Sequence, residues 1–194
     1  MRSDNEIRTA TAQTAKRETA EIEIRRLTEE DAQDFYRLRL EALEREPQAF
    51  SASPEEHRAM TVDTIARRLG SASGDRNFVL GAIAEARLVG MAGFYQEEGP
   101  KTRHKGHIWG VYVSESWRRK GIARVLLSEL IERVRAKPEL EQLYLAVAVG
   151  QDSAKRLYES LSFEVYGREH HAIKIGNTYV DEDLMVLRLR RETS

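Results

Sequence analysis

Apolar residues recur along this chain in two rhythms, every second position where strands are expected and every three to four where helices are. Residues 22–28, "IEIRRLT", alternate as a first strand, and Thr28 followed by Glu29, Glu30 and Asp31 reads as an N-cap with an acidic first turn. A helix is predicted over 29–46, with Phe35, Leu38 and Leu43 among its apolar positions, and Pro47 stops it. The stretch "SPEEHRAMTVDTIARRLGS" predicts a second helix that ends near Gly70. Residues 77–85 and 88–96 are two strands joined so tightly that they form an antiparallel hairpin. The polar loop "EEGPKTRHKG", expected to be mobile, leads to a strand over "HIWGVYV". A helix over 121–136 then carries Ile122, Val125, Leu126, Leu130 and Val134 on or near one stripe. "LYLAVAV" is apolar on both faces, as in a central strand covered from both sides. A helix over 152–161 places Ala154, Leu157, Tyr158 and Leu161 on one face, and two strands around a Gly176-Asn177 turn follow.

This order of elements predicts an α/β fold, a mixed sheet flanked by helices. With 194 residues, no internal repeat and no second boundary, the chain fits one domain over 21–194. Residues 1–20 are polar and poor in large apolar groups, which predicts a disordered or loosely packed tail.

Charge and composition narrow the chemistry. Lys and Arg total 31 against 32 Asp and Glu, a net charge of -1, which implies no general attraction to nucleic acid or to an anionic membrane. The longest strictly apolar run, residues 143–149, is far short of the roughly 20 residues that a spanning helix needs. A soluble, cytoplasmic protein is expected. The absence of cysteine removes disulfides, thiolate metal sites and cysteine nucleophiles. Five histidines without ligand spacing predict no metal site.

Against this neutral background one corner stands out. "VYVSESWRRKGIARVLL" runs from a strand through Arg118, Arg119, Lys120 and Gly121 into a helix that begins Ile122, Ala123, Arg124. A helix start offers unpaired N–H groups and the positive end of the dipole, and a glycine lets an anion reach the backbone. Alone, the corner is equally compatible with a solvated basic helix start. Neither G-x-x-x-x-G-K-[ST] nor G-x-G-x-x-G occurs in the chain.

Downstream, "VGQDSAKRLYESLSF" follows the apolar strand and sets Tyr158 one turn beyond Ala154. R-x-x-G-x-A at 118–123, followed across one strand by A-x-x-L-Y-x-x-x-x-F at 154–163, resembles the GCN5-related N-acetyltransferase (GNAT) family. "IRRLTEEDAQDFYRLRLEAL" is similar to that family's first strand and helix, so the likeness covers Ile22 to about Leu189. It implies a mostly antiparallel sheet with a V-shaped splay between the fourth and fifth strands. It also implies acetyl-CoA as donor, with the pyrophosphate on the backbone amides from Arg119 to Arg124 and the pantetheine arm along Val111, Tyr112 and Val113. By the same likeness Ala154, Tyr158 and Arg118 border the cofactor, Val113 N–H is the oxyanion donor and Tyr158 the general acid, and the chain forms a homodimer. Two positions depart from the family pattern, with Gln151 where Asn is frequent and Ser162 where Gly is; Gln151 can still hydrogen-bond the cofactor arm.

The acceptor implied is a primary amine of a small molecule or a protein terminus, and a base is needed to take its proton. His107 suits by its near-neutral titration, although a surface histidine ending a loop is an equal alternative. Glu46, Glu97 and Glu98 are further candidates, each also explained by solvation. His170 and His171 are adjacent on a strand and point to opposite faces. Asp181, Glu182 and Asp183 are expected to be a solvated strand entry. An acyl-CoA-binding sensor or interaction module without catalysis is the alternative to an enzyme.

Overall fold

The computed structural model describes residues 21–70 and 76–189; the expected tail at 1–20 and the last five residues lie outside this range. The strands are β1 (Glu23–Arg26), β2 (Asn77–Ala84), β3 (Arg87–Gln96), β4 (Lys105–Val113), β5 (Gln142–Ala148), β6 (Glu164–Ile175) and β7 (Thr178–Arg188). The helices are α1 (Ala32–Arg45), α2 (Pro54–Arg58), α3 (Val62–Gly70), α4 (Ile122–Arg135) and α5 (Asp152–Ser160). The strands form one sheet in the order β1-β2-β3-β4-β5-β7-β6. Every neighbouring pair is antiparallel except β4 and β5, which are parallel.

Two apolar layers hold the sheet. On one face α4 buries Ile122, Leu126, Leu127, Leu130, Ile131 and Val134, and Tyr158 of α5 joins them. On the other, α1 buries Phe35, Leu38, Ala42 and Leu43 against Val79, Leu88, Met91 and Tyr112 of the strands. Each Val, Leu, Ile, Met or Phe among them contributes about 1.5–3 kcal/mol when fully buried. Val125, expected near the α4 stripe, is instead 51% exposed, because it lies just outside the arc that reaches the sheet.

Three expectations change at the level of elements. The single second helix is two, since Thr61 caps a new start: its Oγ1 accepts from Thr64 N–H at 3.2 Å. Ser53 caps α2 in the same way, with Glu56 N–H donating to its Oγ at 3.1 Å and Pro54 following it. Strand β5 is not covered on both faces, for Ala146 is exposed and Tyr144 half-buried. The loop before β4 is tied by Gln96 Nε2 donating to Arg103 C=O at 2.6 Å and by Thr102 and Arg103 N–H donating to Gly99 C=O.

What positions the site is an interruption in pairing. β4 and β5 pair only from Lys105–Gln142 to His107–Tyr144; beyond that β4 runs on to Val113 paired with β3 alone and β5 to Ala148 paired with β7 alone. A bulge aids the divergence: Met91 faces Tyr112 and Gly93 faces Trp109, so Gly110 and Val111 together oppose Ala92. Gly110 has φ +65°, a left-handed conformation that costs glycine least.

Candidate active site

The two diverging strands enclose a cleft of about 480 Å³. Ile108 to Val113 form one wall and Leu145 to Ala148 the other, with the α4 start at one end and Gln151, Ala154 and Tyr158 of the α5 region beside it. Of the cofactor residues expected from the sequence, Val111, Tyr112, Val113, Arg118, Arg119, Gly121, Ile122, Ala123, Arg124, Gln151, Ala154 and Tyr158 all line it. Lys120 does not: its ammonium sits 4.0 Å from the centre of the Trp117 ring.

The corner has the backbone that an anion site needs. Arg119 and Gly121 are both left-handed, at φ +62° and +80°, and no side chain caps the first turn of α4. Its leading N–H groups are therefore free of a protein cap. A Cβ at Gly121 would meet nothing within 4 Å, so the approach to the backbone is open. The basic side chains have other partners. Arg118 Nη1 donates to Glu46 Oε1 at 2.9 Å and its Nε to Val113 C=O at 3.1 Å, while Arg124 Nη2 reaches Ser160 Oγ at 2.7 Å.

Pairing along β4 decides where Val113 points. Ser114 N–H donates to Val89 C=O at 2.9 Å, one residue beyond the Gly90–Val113 pair. That pair is thus the non-hydrogen-bonded kind, and the N–H and C=O of Val113 face away from β3, toward the cleft. Arg118 occupies the carbonyl, which leaves the N–H as a donor. Tyr158 comes from the opposite side on α5. It is buried against Phe163, with ring centres 6.1 Å apart, and burial pushes its phenol up to about 12.

The base candidates separate clearly. His107 lies between the rings of Tyr95 and Tyr144, at 4.7 and 5.5 Å, one residue before the cleft wall begins at Ile108. Its Nε2 is 2.9 Å from Glu97 Oε1, and since a carboxylate oxygen accepts, Nε2 is the donor. That hydrogen bond is the main reason the Glu97 carboxyl is held below its ordinary range. Glu98 is exposed. Glu46 is committed elsewhere, to Arg118, to Gln48 at 2.9 Å and to Gln151 at 3.3 Å. Gln151, expected on the cofactor arm, therefore holds Glu46 across the cleft mouth.

The acidic cluster is not a uniform solvated strand entry. Asp183 is buried, with its oxygens on Lys155 Nζ at 2.7 Å and Arg168 at 2.7 Å, and these partners hold its carboxyl low. Asp181 bonds His170 Nδ1 at 2.7 Å and accepts from His171 N–H at 2.9 Å. Both histidines thus share one aspartate, because a bulge between Glu169 and Ile173, with His171 at φ +57°, breaks the strand alternation. Sequence reasoning missed Glu41, which accepts from Tyr112 Oη at 3.0 Å and Ser114 Oγ at 2.8 Å and so ties α1 to β4.

A glycine-opened helix start, a strand bulge and a splay between parallel strands occur together here, and residues 17–163 match the Acetyltransferase (GNAT) family. The chain belongs to that family. Acetyl-CoA is the co-substrate of GNAT acetyltransferases, and the fit is visible in the open backbone at Gly121 and the free Val113 N–H. The sheet is the mixed, mostly antiparallel one expected, with its splay between β4 and β5. An N-alpha-acetyltransferase of Saccharolobus solfataricus is 38% identical over 65 residues, 34% of this chain and 39% of that protein. The L-amino acid N-acetyltransferase AaaT of Escherichia coli is 27% identical over 115 residues, 59% of this chain and 68% of its own. The chain thus spans about two fifths of the first relative. Among solved structures, an acetyltransferase of the GNAT family from Streptococcus pneumoniae superposes with a TM-score of 0.78 at 22% identity, covering 87% of this chain and 99% of its own. The putative acetyltransferase yncA from Salmonella typhimurium, solved with its cofactor acetyl-CoA, gives 0.77 at 20% identity over 90% and 98%. Among the described residues no helix is long and apolar enough to cross a membrane.

Proposed function

We propose that this GNAT chain transfers the acetyl group of acetyl-CoA directly to a primary amine, of a small molecule or a protein terminus. The observation that carries this reading is the Val113 N–H aimed into the cleft that Tyr158 and the α4 corner also line. Bound acetyl-CoA supplies an acyl thioester reactive enough for direct attack. The amine nitrogen bonds the acyl carbon, the carbon–sulfur bond breaks, and an amide and a thiolate result, the thiolate taking its proton from water as it leaves. Val113 N–H donates to the carbonyl oxygen as negative charge gathers there. Tyr158, at about 12, is a weaker acid than a thiol of pKa about 8.5, so it steadies the departing sulfur by a hydrogen bond and keeps most of its proton. His107 takes the proton shed by the amine at Nδ1, through water, with Glu97 steadying the imidazolium.

The test is thiol release from acetyl-CoA across an amine panel. Tyr158→Phe should lower kcat about 10- to 100-fold, the worth of one hydrogen bond to a charged group, with acetyl-CoA still bound in calorimetry. Binding without thiol release from any amine would sink the enzyme reading in favour of a sensor. We also propose a homodimer through the β6–β7 hairpin, which exposes Val165, Tyr166, Ile175 and Tyr179.

A further inference from the structure

Beneath α1 lies a second cavity of about 500 Å³, with Phe35, Leu43, Ile65, Leu69 and Val79 on its walls and Trp109 shared with the cleft. Arg39 enters it from the apolar stripe of α1. Its guanidinium lies 4.8 Å from the centre of the Phe50 ring and 5.6 Å from that of Trp109, and both rings also line the cleft. Nη1 is buried with no hydrogen-bond partner. Among the described residues no carboxylate pairs with Arg39, and burial alone pulls it down to about 10. Glu56, on the same wall, is spent on Ser53 N–H at 2.7 Å, and neighbouring His57 is held neutral chiefly by burial, with Nε2 on Tyr36 C=O. Arg39 is partly buried and its Nη1 wholly so; a cation held there without a counter-charge is costly, and a bound anion would relieve that cost.

We propose that Arg39 receives a carboxylate of the amine acceptor, so that the substrate is a small α-amino acid with an apolar side chain seated in this second cavity. The guanidinium fork matches a carboxylate in two-point geometry. Its place is also right: Nη1 is 3.1 Å from where a Cβ of Gly110 would stand, three residues before Val113. Three strand residues span roughly 10 Å, enough for a carboxylate on Arg39, the amine beyond it and a carbonyl on Val113 N–H. The proposal rests on the acetyl-transfer reading and selects, between a protein terminus and a free amino acid, the one whose amine has a carboxylate beside it.

L-Leucine, L-methionine and L-phenylalanine should each be compared with the matching carboxamide, which keeps the amine and loses the charge. The amide amine is the less basic and more often unprotonated, so chemistry alone favours the amide. In the wild-type protein kcat/KM for the acid should exceed that for the amide by about 100-fold. Arg39→Met should bring the ratio below one, to the preference that amine basicity alone sets, and Arg39→Lys should restore part of the preference for the acid. Equal use of acid and amide by the wild type, or a ratio that survives Arg39→Met, overturns the proposal. Should no amine release thiol, acetyl transfer fails while Arg39 is still tested by binding. In a Trp117→Phe background, Trp109 fluorescence should respond saturably to L-leucine and not to L-leucinamide; no response to any of the three acids overturns the assignment.

Discussion

Ser162 holds φ +69° at the end of α5, a region where a side chain other than glycine is strained. Ser162 N–H donates to Glu159 C=O and Phe163 N–H to Tyr158 C=O, the double bond pattern that closes a helix with a left-handed residue. The family's frequent glycine falls on this residue, so the serine is a local cost and not a lost ligand. Ser162→Gly should raise stability by about 0.5–1 kcal/mol, seen as a higher urea midpoint with unchanged slope. Turnover should not change, as Tyr158 already sits on the cleft. At this scale the sequence shows which residues carry motifs but not which of their groups remain free. Arg118, Arg124 and Gln151 are expected as cofactor contacts, and each has a protein partner 36 to 105 positions away that no local pattern encodes. Arg39 was legible in principle, as a charge between Phe35 and Leu43 on an apolar stripe, although α1 could also have turned it to water.

Helix α5 carries Tyr158, and what anchors it is the Lys155–Asp183 bond to β7. Asp183 pairs in register with Val147 on the cleft wall, so one carboxylate links the helix, the far hairpin and β5. Its carboxyl is held below the ordinary aspartate range first by Lys155 and then by Arg168, against the cost of burial. A folded-state value below the unfolded one means that the ion pairs stabilise fully above about pH 4. That contribution is lost as pH falls through the folded value. The Asp183 contribution should therefore stay level from pH 7 to 5 and drop below about 4, on top of any loss between pH 7 and 5 from the buried neutral His57. Asp183→Asn should lower stability by about 2 kcal/mol at neutral pH and flatten the acid drop. An unchanged acid slope in the variant would show that other carboxylates, such as Asp31 on Arg25, carry it. The elements themselves were mostly legible because apolar spacing dictates them. The break between α2 and α3 was not, since a cap at Thr61 competes with helical periodicity and wins by a single hydrogen bond.

Across the whole molecule the sheet has unequal edges. β1 is a short strand, whereas β6 is long and largely exposed. Strand addition along β6 is obstructed, because the register shifts between Val165 and Gly167 and again between Glu169 and Ile173. Association through this hairpin must therefore use its side chains, and Tyr166, Ile175 and Tyr179 supply an apolar set 55%, 37% and 48% exposed. The neighbouring β4 and β5 and the cleft between them were implied by the family resemblance that R-x-x-G-x-A and A-x-x-L-Y carry, whereas the order of the outer strands was not read from the sequence. The late hairpin's face was not, because its bulges re-aim side chains that a regular alternation would assign elsewhere. A stable homodimer needs about 1,200–2,000 Å² of buried surface, so the tip and its flanking face must act together. Sedimentation at micromolar concentration should give twice the 22.2 kDa chain mass. Tyr179→Glu, which places a charge in that face, should shift the protein toward monomer while leaving acetyl-CoA affinity intact. A wild-type monomer under these conditions would show that Tyr166 serves its contact with Tyr144, and Tyr179 its stack on His171, instead of a second chain.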